Sequence, residues 1–579
     1  MTPQPQHPPS RPSVPPTPPS RSSLWIASVV VALAVLAVFL NCLHNSFLWD
    51  DEQFVVKNSF LTSARFLPNL LTENIVAGAG LVSNLYRPLQ SFTHFMDVRW
   101  WGARAWGHHL TNVLLHVAAA VAVFRVMATL VPVWPAVCAT LLFALHPLQS
   151  EAVAYVSGRG DTLAILWLCL GLLAFRRSLW LSLLCALLGM ASKESLALVP
   201  LFVLLYEYAR GVTPSWKRHL PLWLLSGAYV AARLTVLNFR NTLNFYDGPN
   251  VLTEHPLWRV FTYLTTIPKG IWLWWWPLDL HHERSWMVCA NVQMVQVWGG
   301  AVLVACLIGV AWWCRRRRPL VTVGIAWFFV ATLPTSNLLV LINALFYDHW
   351  FILPGFGLAI ITAQMLAIGW RDRRAWMRGT VRLVTLIQIV TVAVLAWRYN
   401  GVWHDPLSLY THILRWEPQS AKTHNNVGMV YADAGRLTEA MREYRQAIAI
   451  SDEYPQTHHN LGNAYLQIGD EAHAEEEFRR AVAMQPAFHH AWMQLGVLAF
   501  KRRQWQEAAA AFASAMRAYP YAAEAYVGLA QASLGQGRLD EALRTLETGT
   551  QRLPHSLPLQ AALRDVRAMR ERTRAAAAR

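Results

Sequence analysis

The chain has 579 residues, of which 54% are apolar and 15% charged, with 28 tryptophans and a net charge of +16. Such a length allows several domains, and the apolar, Trp-rich mix suits a polytopic membrane protein with aromatic interfaces. Much of the positive charge lies in short clusters beside apolar runs (Arg176-Arg177, Lys217-Arg218, Arg315 to Arg318, Arg371 to Arg378), which argues against nucleic-acid binding and for cytoplasmic topology anchors. The seven cysteines have no metal-ligand spacing, so they support neither a disulfide framework nor a zinc site.

Residues 1–23 are Pro- and Ser-rich with scattered Arg and read as a disordered cytoplasmic tail. Leu24 to Leu43 is apolar over about the length of a bilayer crossing, too long for a signal-peptide core, and reads as a retained first helix. A polar excursion from Asn45 to His108 follows on the outer side. Apolar runs near 109–131, 133–148, 161–175, 179–192, 194–209, 219–238, 296–314, 319–338, 352–370 and 381–398 complete a multi-span domain over 24–400. The stretch 257–280, with Pro268 and four tryptophans near Trp275, suits an interfacial helix. Leaving it out gives eleven crossings and places every basic cluster in the cytoplasm, with the first loop and the C-terminus on the opposite side.

After a connector at 401–420 the composition changes to Ala, Glu, Gln, Arg and Tyr with a period of 34 residues. Gly428, Gly462 and Gly496 are in register, with Ala530 in the fourth place. Ala440, Ala474, Ala508 and Ala542 repeat likewise, as do Tyr444, Phe478, Phe512 and Leu546. Small residues where paired helices touch, and large ones filling the gap, are the tetratricopeptide pattern. Four units span about 421–556 within a repeat domain at 421–579. The expected fold is therefore all-α: a polytopic membrane helical domain followed by a helical-repeat solenoid, whose concave groove suits a peptide.

The candidate chemistry begins at Asp50-Asp51, adjacent acids placed just after the first apolar run, where carboxylates are costly. One of the two is the expected general base. Further polar residues group at the ends of apolar runs: Arg87, His109, His146, Glu151, Arg159, Asp161, Lys193, Glu194, Asp348 and His349. A basic set (Arg87, Arg159, Lys193, His349) beside an acidic one is what an anionic lipid headgroup and a hydroxyl acceptor require. His108, His109, Asp50, Asp51 and Glu151 could together hold a divalent metal, but their spacing specifies none and no ligand is assigned. No phosphate-cradling Gly-rich loop and no Gly-x-Ser-x-Gly elbow is present, which leaves nucleotide-driven chemistry and serine hydrolysis unsupported.

These motifs, in this order, resemble the transmembrane and tetratricopeptide-repeat O-mannosyltransferases and their bacterial relatives, polytopic GT-C glycosyltransferases that use polyprenyl-phosphate sugars. The matching stretches are Phe47-Leu-Trp-Asp-Asp51 with Asn58, Tyr86-Arg-Pro-Leu89, His109-Leu-Thr-Asn112 through His116, His146-Pro147 with Glu151-Ala-Val153, Gly158-Arg159-Gly-Asp161 and Lys193-Glu194. Leu333-Pro-Thr-Ser-Asn337-Leu, Leu353-Pro354 with Gly357, and the repeats come later. Two positions depart from the pattern. Asp348-His349 stands where relatives carry an acid–Arg pair, and Gly160 where Ala is usual.

The resemblance implies that Asp51 or Asp50 takes the proton of a Ser or Thr hydroxyl as it attacks the anomeric carbon, with inversion. Arg87, Arg159, Lys193 and His349 would stabilise the lipid-phosphate leaving group. It implies mannose as the sugar and an acceptor protein held by the repeats; the basic clusters argue for no nucleic-acid partner, and the basic tail, short loops and compact chain point to a bacterial inner membrane with a cytoplasmic N-terminus and periplasmic repeats. Two other readings fit the same residues: an envelope enzyme acting on a glycan or lipid, and a non-enzymatic scaffold that binds proteins through its repeats.

Overall fold

The computed structural model describes residues 20–81, 83–239, 251–342, 344–554 and 556–577. Most of the expected tail, residues 1–19, lies outside the described residues; Ser20 caps the first helix by accepting the amide of Ser23 at 3.1 Å. Among the described residues there are helices and turns but no strand. The chain divides into two compact units, Met1–Leu409 and Tyr410–Arg579.

In the first unit each long apolar run becomes a helix, the form in which a segment satisfies its own backbone within hydrocarbon. Among the described residues, six helices are long and apolar enough to cross a bilayer: Arg21–His44, Ala105–Met127, Val156–Ala174, Val295–Cys314, Asp348–Trp370 and Ala375–Val402. The last of these exposes Leu383, Leu386, Ile387, Val390 and Val394, a surface suited to lipid. A seventh candidate is broken: Val133–Ala144 and Pro147–Ala154 meet at 53°, because Pro147 lacks an amide to continue the ladder. Other runs among the eleven expected crossings fold as shorter apolar helices, such as Leu179–Met190 and Pro319–Thr335. The helix Trp216–Leu234 is long enough but carries Lys217, Arg218 and Arg233. Pro256–Trp275, expected at the interface, is a single helix through Pro268 that buries Trp274 and exposes Trp272 and Trp275.

Backbone contact fixes one crossing. A Cβ on Gly324 would stand 2.4 Å from the carbonyl of Gly357, and one on Gly357 would meet the carbonyl of Gly324 at the same distance. Glycine at both positions lets Pro319–Thr332 and Ile352–Trp370 pack with their backbones touching, the usual association of small residues between membrane helices.

The second unit is four helix pairs, from Ala421–Asp433 with Leu437–Ile450 to Ala523–Gly535 with Leu539–Arg552, closed by Leu557–Ala577. The periodic alanines Ala440, Ala474, Ala508 and Ala542 are fully buried, as the repeat pattern requires. Each periodic glycine faces the periodic aromatic of its own pair: a Cβ on Gly428, Gly462 or Gly496 would lie 2.5, 2.7 or 2.6 Å from the ring of Tyr444, Phe478 or Phe512.

Candidate active site

The first loop is tied down at its start. Asn45 and Ser46 bond to the end of the last long helix, the amide of Ser46 donating to the carbonyl of His404 at 2.9 Å and Asn45 Nδ2 to that of Asn400 at 3.3 Å. Trp49 then takes a left-handed conformation (φ 49°), an uncommon one for a bulky residue and a mark of a constrained turn. This turn separates the two acids. Asp51 is fully buried and accepts from the amide and hydroxyl of Ser157 and from the amide of Leu48, whereas Asp50 is exposed. The amide of Asp50 donates to the hydroxyl of Tyr155 at 3.0 Å. Burial pushes the Asp51 carboxyl up to about 7, against the hydrogen bonds from Ser157 and Leu48 and helped by the charge of Asp50.

The broken helix is held by Asn112, whose Nδ2 donates to the carbonyls of Val153 and Tyr155 at 3.2 and 3.1 Å. Its Oδ1 accepts from Nε of Arg159 at 2.6 Å. The buried Arg159 guanidinium also reaches Asp97 Oδ2 at 2.5 Å and the carbonyl of His108 at 3.1 Å. Arg159 is thus fully engaged inside the protein. His109 touches the carbonyl of Ser46 at 3.4 Å, and His146 stacks on Trp274 while its Nδ1 accepts from the amide of Leu148. Both are buried parts of the scaffold that carries the loop.

Further expected residues come together as two ion pairs and, with His282, one triad. Arg87 Nε meets Glu194 at 3.2 Å, and Glu194 also accepts from the amide of Tyr86. Lys193 pairs with Asp161. The Arg87 guanidinium is held above its usual range, since Glu194 and Asp161 outweigh its burial. These pairs adjoin the acid loop through Gln90, whose Nε2 donates to the carbonyl of Ser157 at 2.7 Å. Glu151 receives two imidazoles, His282 Nδ1 at 2.8 Å and His349 Nδ1 at 2.5 Å from the same oxygen, Oε1. Trp49 packs edge-on to His282 at 4.6 Å, which sets this cluster beside the acid turn.

The run Asp279-Leu-His-His-Glu-Arg284 was not among the expected residues. Arg284 grips Asp348 with two bonds of 3.0 Å, and Lys269 pairs with Asp279. Asp348 therefore has an arginine partner, but from 64 residues earlier in the chain. Burial works against the charge on Arg284, yet Asp348 and Asp279 hold its guanidinium above the usual range. Five ionisable residues in six, just after a tryptophan cluster, were the available signal. Asp97, the partner of Arg159, lies in the helix Pro88–Trp101 and had no such signal.

Fold and site together define a polytopic helical membrane protein whose first loop carries a buried and an exposed acid, followed by tetratricopeptide repeats. Family models described as "TPR repeat" match residues 428–469 and as "Tetratricopeptide repeat" 459–523 and 499–565. The chain is similar to proteins named protein O-mannosyl-transferases. It is 23% identical over 454 residues to Protein O-mannosyl-transferase F38B6.6 of Caenorhabditis elegans, covering 74% of this chain and 63% of that one. It is 26% identical to Protein O-mannosyl-transferase TMTC4 of Mus musculus, with 72% and 66% covered. A shorter match of 36% joins it to Tmtc1 of Drosophila melanogaster over 27% of this chain and 20% of that protein. The chain thus spans just under two thirds of the first two relatives. Among solved structures, the MamA protein matches at 21% identity and a TM-score of 0.24, over 27% of this chain and 84% of its own.

Proposed function

We propose that this protein is a membrane glycosyltransferase of the GT-C type that moves mannose from a polyprenyl-phosphate donor to Ser or Thr hydroxyls of a protein. The relatives' names support the activity and the sugar. The observation that carries the reading is the split acid pair: Asp50 exposed, on a turn fixed by the buried Asp51. An accessible carboxylate on a rigid turn suits a base that must come within hydrogen-bond reach of a hydroxyl.

Asp50 takes the acceptor's proton while its oxygen attacks the anomeric carbon, and the lipid phosphate leaves on the opposite face with inversion. The leaving group departs as a stable anion, so it needs positive charge more than a proton. We assign that role to the cations Arg87, Lys193 and Arg284, while Asp51 and Arg159 position the turn. The repeats hold the acceptor segment in the groove of their stacked helix pairs. The site and the repeats lie on the periplasmic side of a bacterial inner membrane, with the N-terminus in the cytoplasm.

The test is transfer from polyprenyl-phosphate mannose to an acceptor peptide by the full chain in lipid vesicles. Loss of a general base costs about 10²–10⁴-fold, so Asp50→Asn should fall by that amount at unchanged monodispersity. Wild-type rates in the Asp50→Asn, Asp51→Asn double variant would remove the mechanism.

A further inference from the structure

The structure carries a second candidate function within the same unit. We propose that Glu151, His282 and His349 form a binding site for a divalent transition metal of the Zn2+ type. The three come from distant parts of the chain: the short helix Ser150–Ala154, the segment after Pro256–Trp275, and the turn Asp348–Phe351. One ligand atom from each lies within 4.8 Å of the others. The two imidazole rings are nearly parallel, at 14°, and both present Nδ1 to Oε1 of Glu151.

A shared acceptor is a poor account of this geometry. Nδ1 of His349 sits 2.5 Å from the carboxylate but is not aligned for a hydrogen bond, and that buried nitrogen has no other hydrogen-bond partner. A tetrahedral ion with bonds of about 2.0–2.1 Å would hold its ligand atoms some 3.3 Å apart, so each imidazole nitrogen, now 2.8 or 2.5 Å from Oε1, would move back from the carboxylate. Two histidines and a glutamate are a common three-ligand set for zinc with one position left open.

The ligands are also supported from behind. The amide of His281 donates to Asp348 at 3.0 Å, and Arg284 grips the same carboxylate, so the segments bearing His282 and His349 are fastened together. Trp49, Trp403 and Tyr347 pack around the His282 ring at 4.6, 5.5 and 5.5 Å. Such fixing of ligand orientation is what holds a metal site in shape. A second group, His94, Asp97 and His108, is as close-knit, but the Arg159 guanidinium already occupies its carboxylate. Its positive charge would repel an ion.

Any part the ion plays in sugar transfer rests on the glycosyltransferase reading; its binding does not. The experiment uses the full chain purified in detergent without chelator, loaded with Zn2+ for mass-spectrometric metal analysis and with Co2+ for visible absorption. Close to one ion per chain is expected, with Co2+ bands of the intensity of a four- or five-coordinate site. His282→Gln and His349→Gln should each weaken binding by tenfold or more, a loss typical of a removed ligand or its support, while His94→Gln keeps it. Each variant is first shown to be monodisperse with unchanged helical circular dichroism; if either fails to fold, Glu151→Gln takes its place. Absence of stoichiometric metal in folded wild-type protein, or binding indifferent to these variants, overturns the site. A chain that transfers mannose but binds no metal loses the site and keeps the transferase reading. One that binds Co2+ through the triad but transfers nothing does the reverse.

Discussion

Asp51 accepts both the amide and the hydroxyl of Ser157, 106 residues further along the chain, at 2.7 and 2.6 Å. These two hydrogen bonds to one carboxylate oxygen tie the first loop to the start of the helix Arg159–Ala174. The pH behaviour follows from its burial. Unfolded, the Asp51 carboxyl releases its proton near about 4, whereas folded it holds it up to about 7. Between those values the folded state binds the extra proton, so this residue's contribution to stability falls as pH rises through the window. In detergent, wild-type melting temperature should therefore decline more steeply from pH 5 to pH 7.5 than that of Asp51→Asn. Parallel slopes would show that Asp51 ionises normally.

Arg159 and Asp97 form a fully buried ion pair. Removing one partner of such a pair leaves an uncompensated charge and costs about 3–5 kcal/mol, whereas replacing both with apolar residues of similar volume can be neutral. Arg159→Met should therefore be strongly destabilised, with Asp97→Leu in the same chain recovering much of the loss. Thermal aggregation in detergent reads the difference. A double variant no better than the single would mean that Arg159 acts mainly through Asn112 and the His108 carbonyl.

The repeats were legible because their packing is local and periodic. Gly462 and Phe478 are sixteen positions apart in one unit, and the same spacing recurs at Gly428 with Tyr444 and Gly496 with Phe512. The candidate site was legible only as fragments. Asp50-Asp51, Arg159 and Lys193-Glu194 each end an apolar run, a signal in the sequence itself. Which acid is exposed depends on the φ of 49° at Trp49, which no pattern encodes. The pairing of Arg284 with Asp348 and of His282 with Glu151 spans 64 and 131 residues, and nothing local links the partners. Crossings are hard to count from the sequence for a related reason: the run 133–148 is apolar but for Thr140 and His146, yet its helix Val133–Ala144 meets Pro147–Ala154 at 53°, where Pro147 interrupts the ladder.

Gly462 gives a prediction of opposite sign to helix propensity. Alanine normally stabilises a helix relative to glycine by roughly 0.5–1 kcal/mol. Here the added methyl would stand 2.7 Å from the Phe478 ring. Overpacking of this kind costs about 1–3 kcal/mol, so Gly462→Ala should lower repeat stability and Gly462→Ala with Phe478→Leu should restore part of it. Chemical denaturation followed by tryptophan fluorescence measures both. A stabilised single variant would mean that the ring moves aside freely.

The last prediction concerns His458, whose ring is 1% exposed and lies between Glu477 and Asp452, each 2.5 Å away. Burial alone would depress its basicity, but the two carboxylates outweigh it and raise the imidazolium above the usual histidine range. A group whose folded value is raised stabilises fully below its unfolded value, about 6.5, and loses that contribution as pH climbs through the folded one. Wild-type repeats should therefore lose stability on going from pH 6 to pH 8.5, and His458→Gln, which keeps hydrogen bonding but cannot carry the charge, should not. The variant should be clearly less stable than wild type at pH 6 and close to it at pH 8.5. Urea melts at the two pH values decide it, because an equal deficit at both would assign His458 to packing rather than to charge.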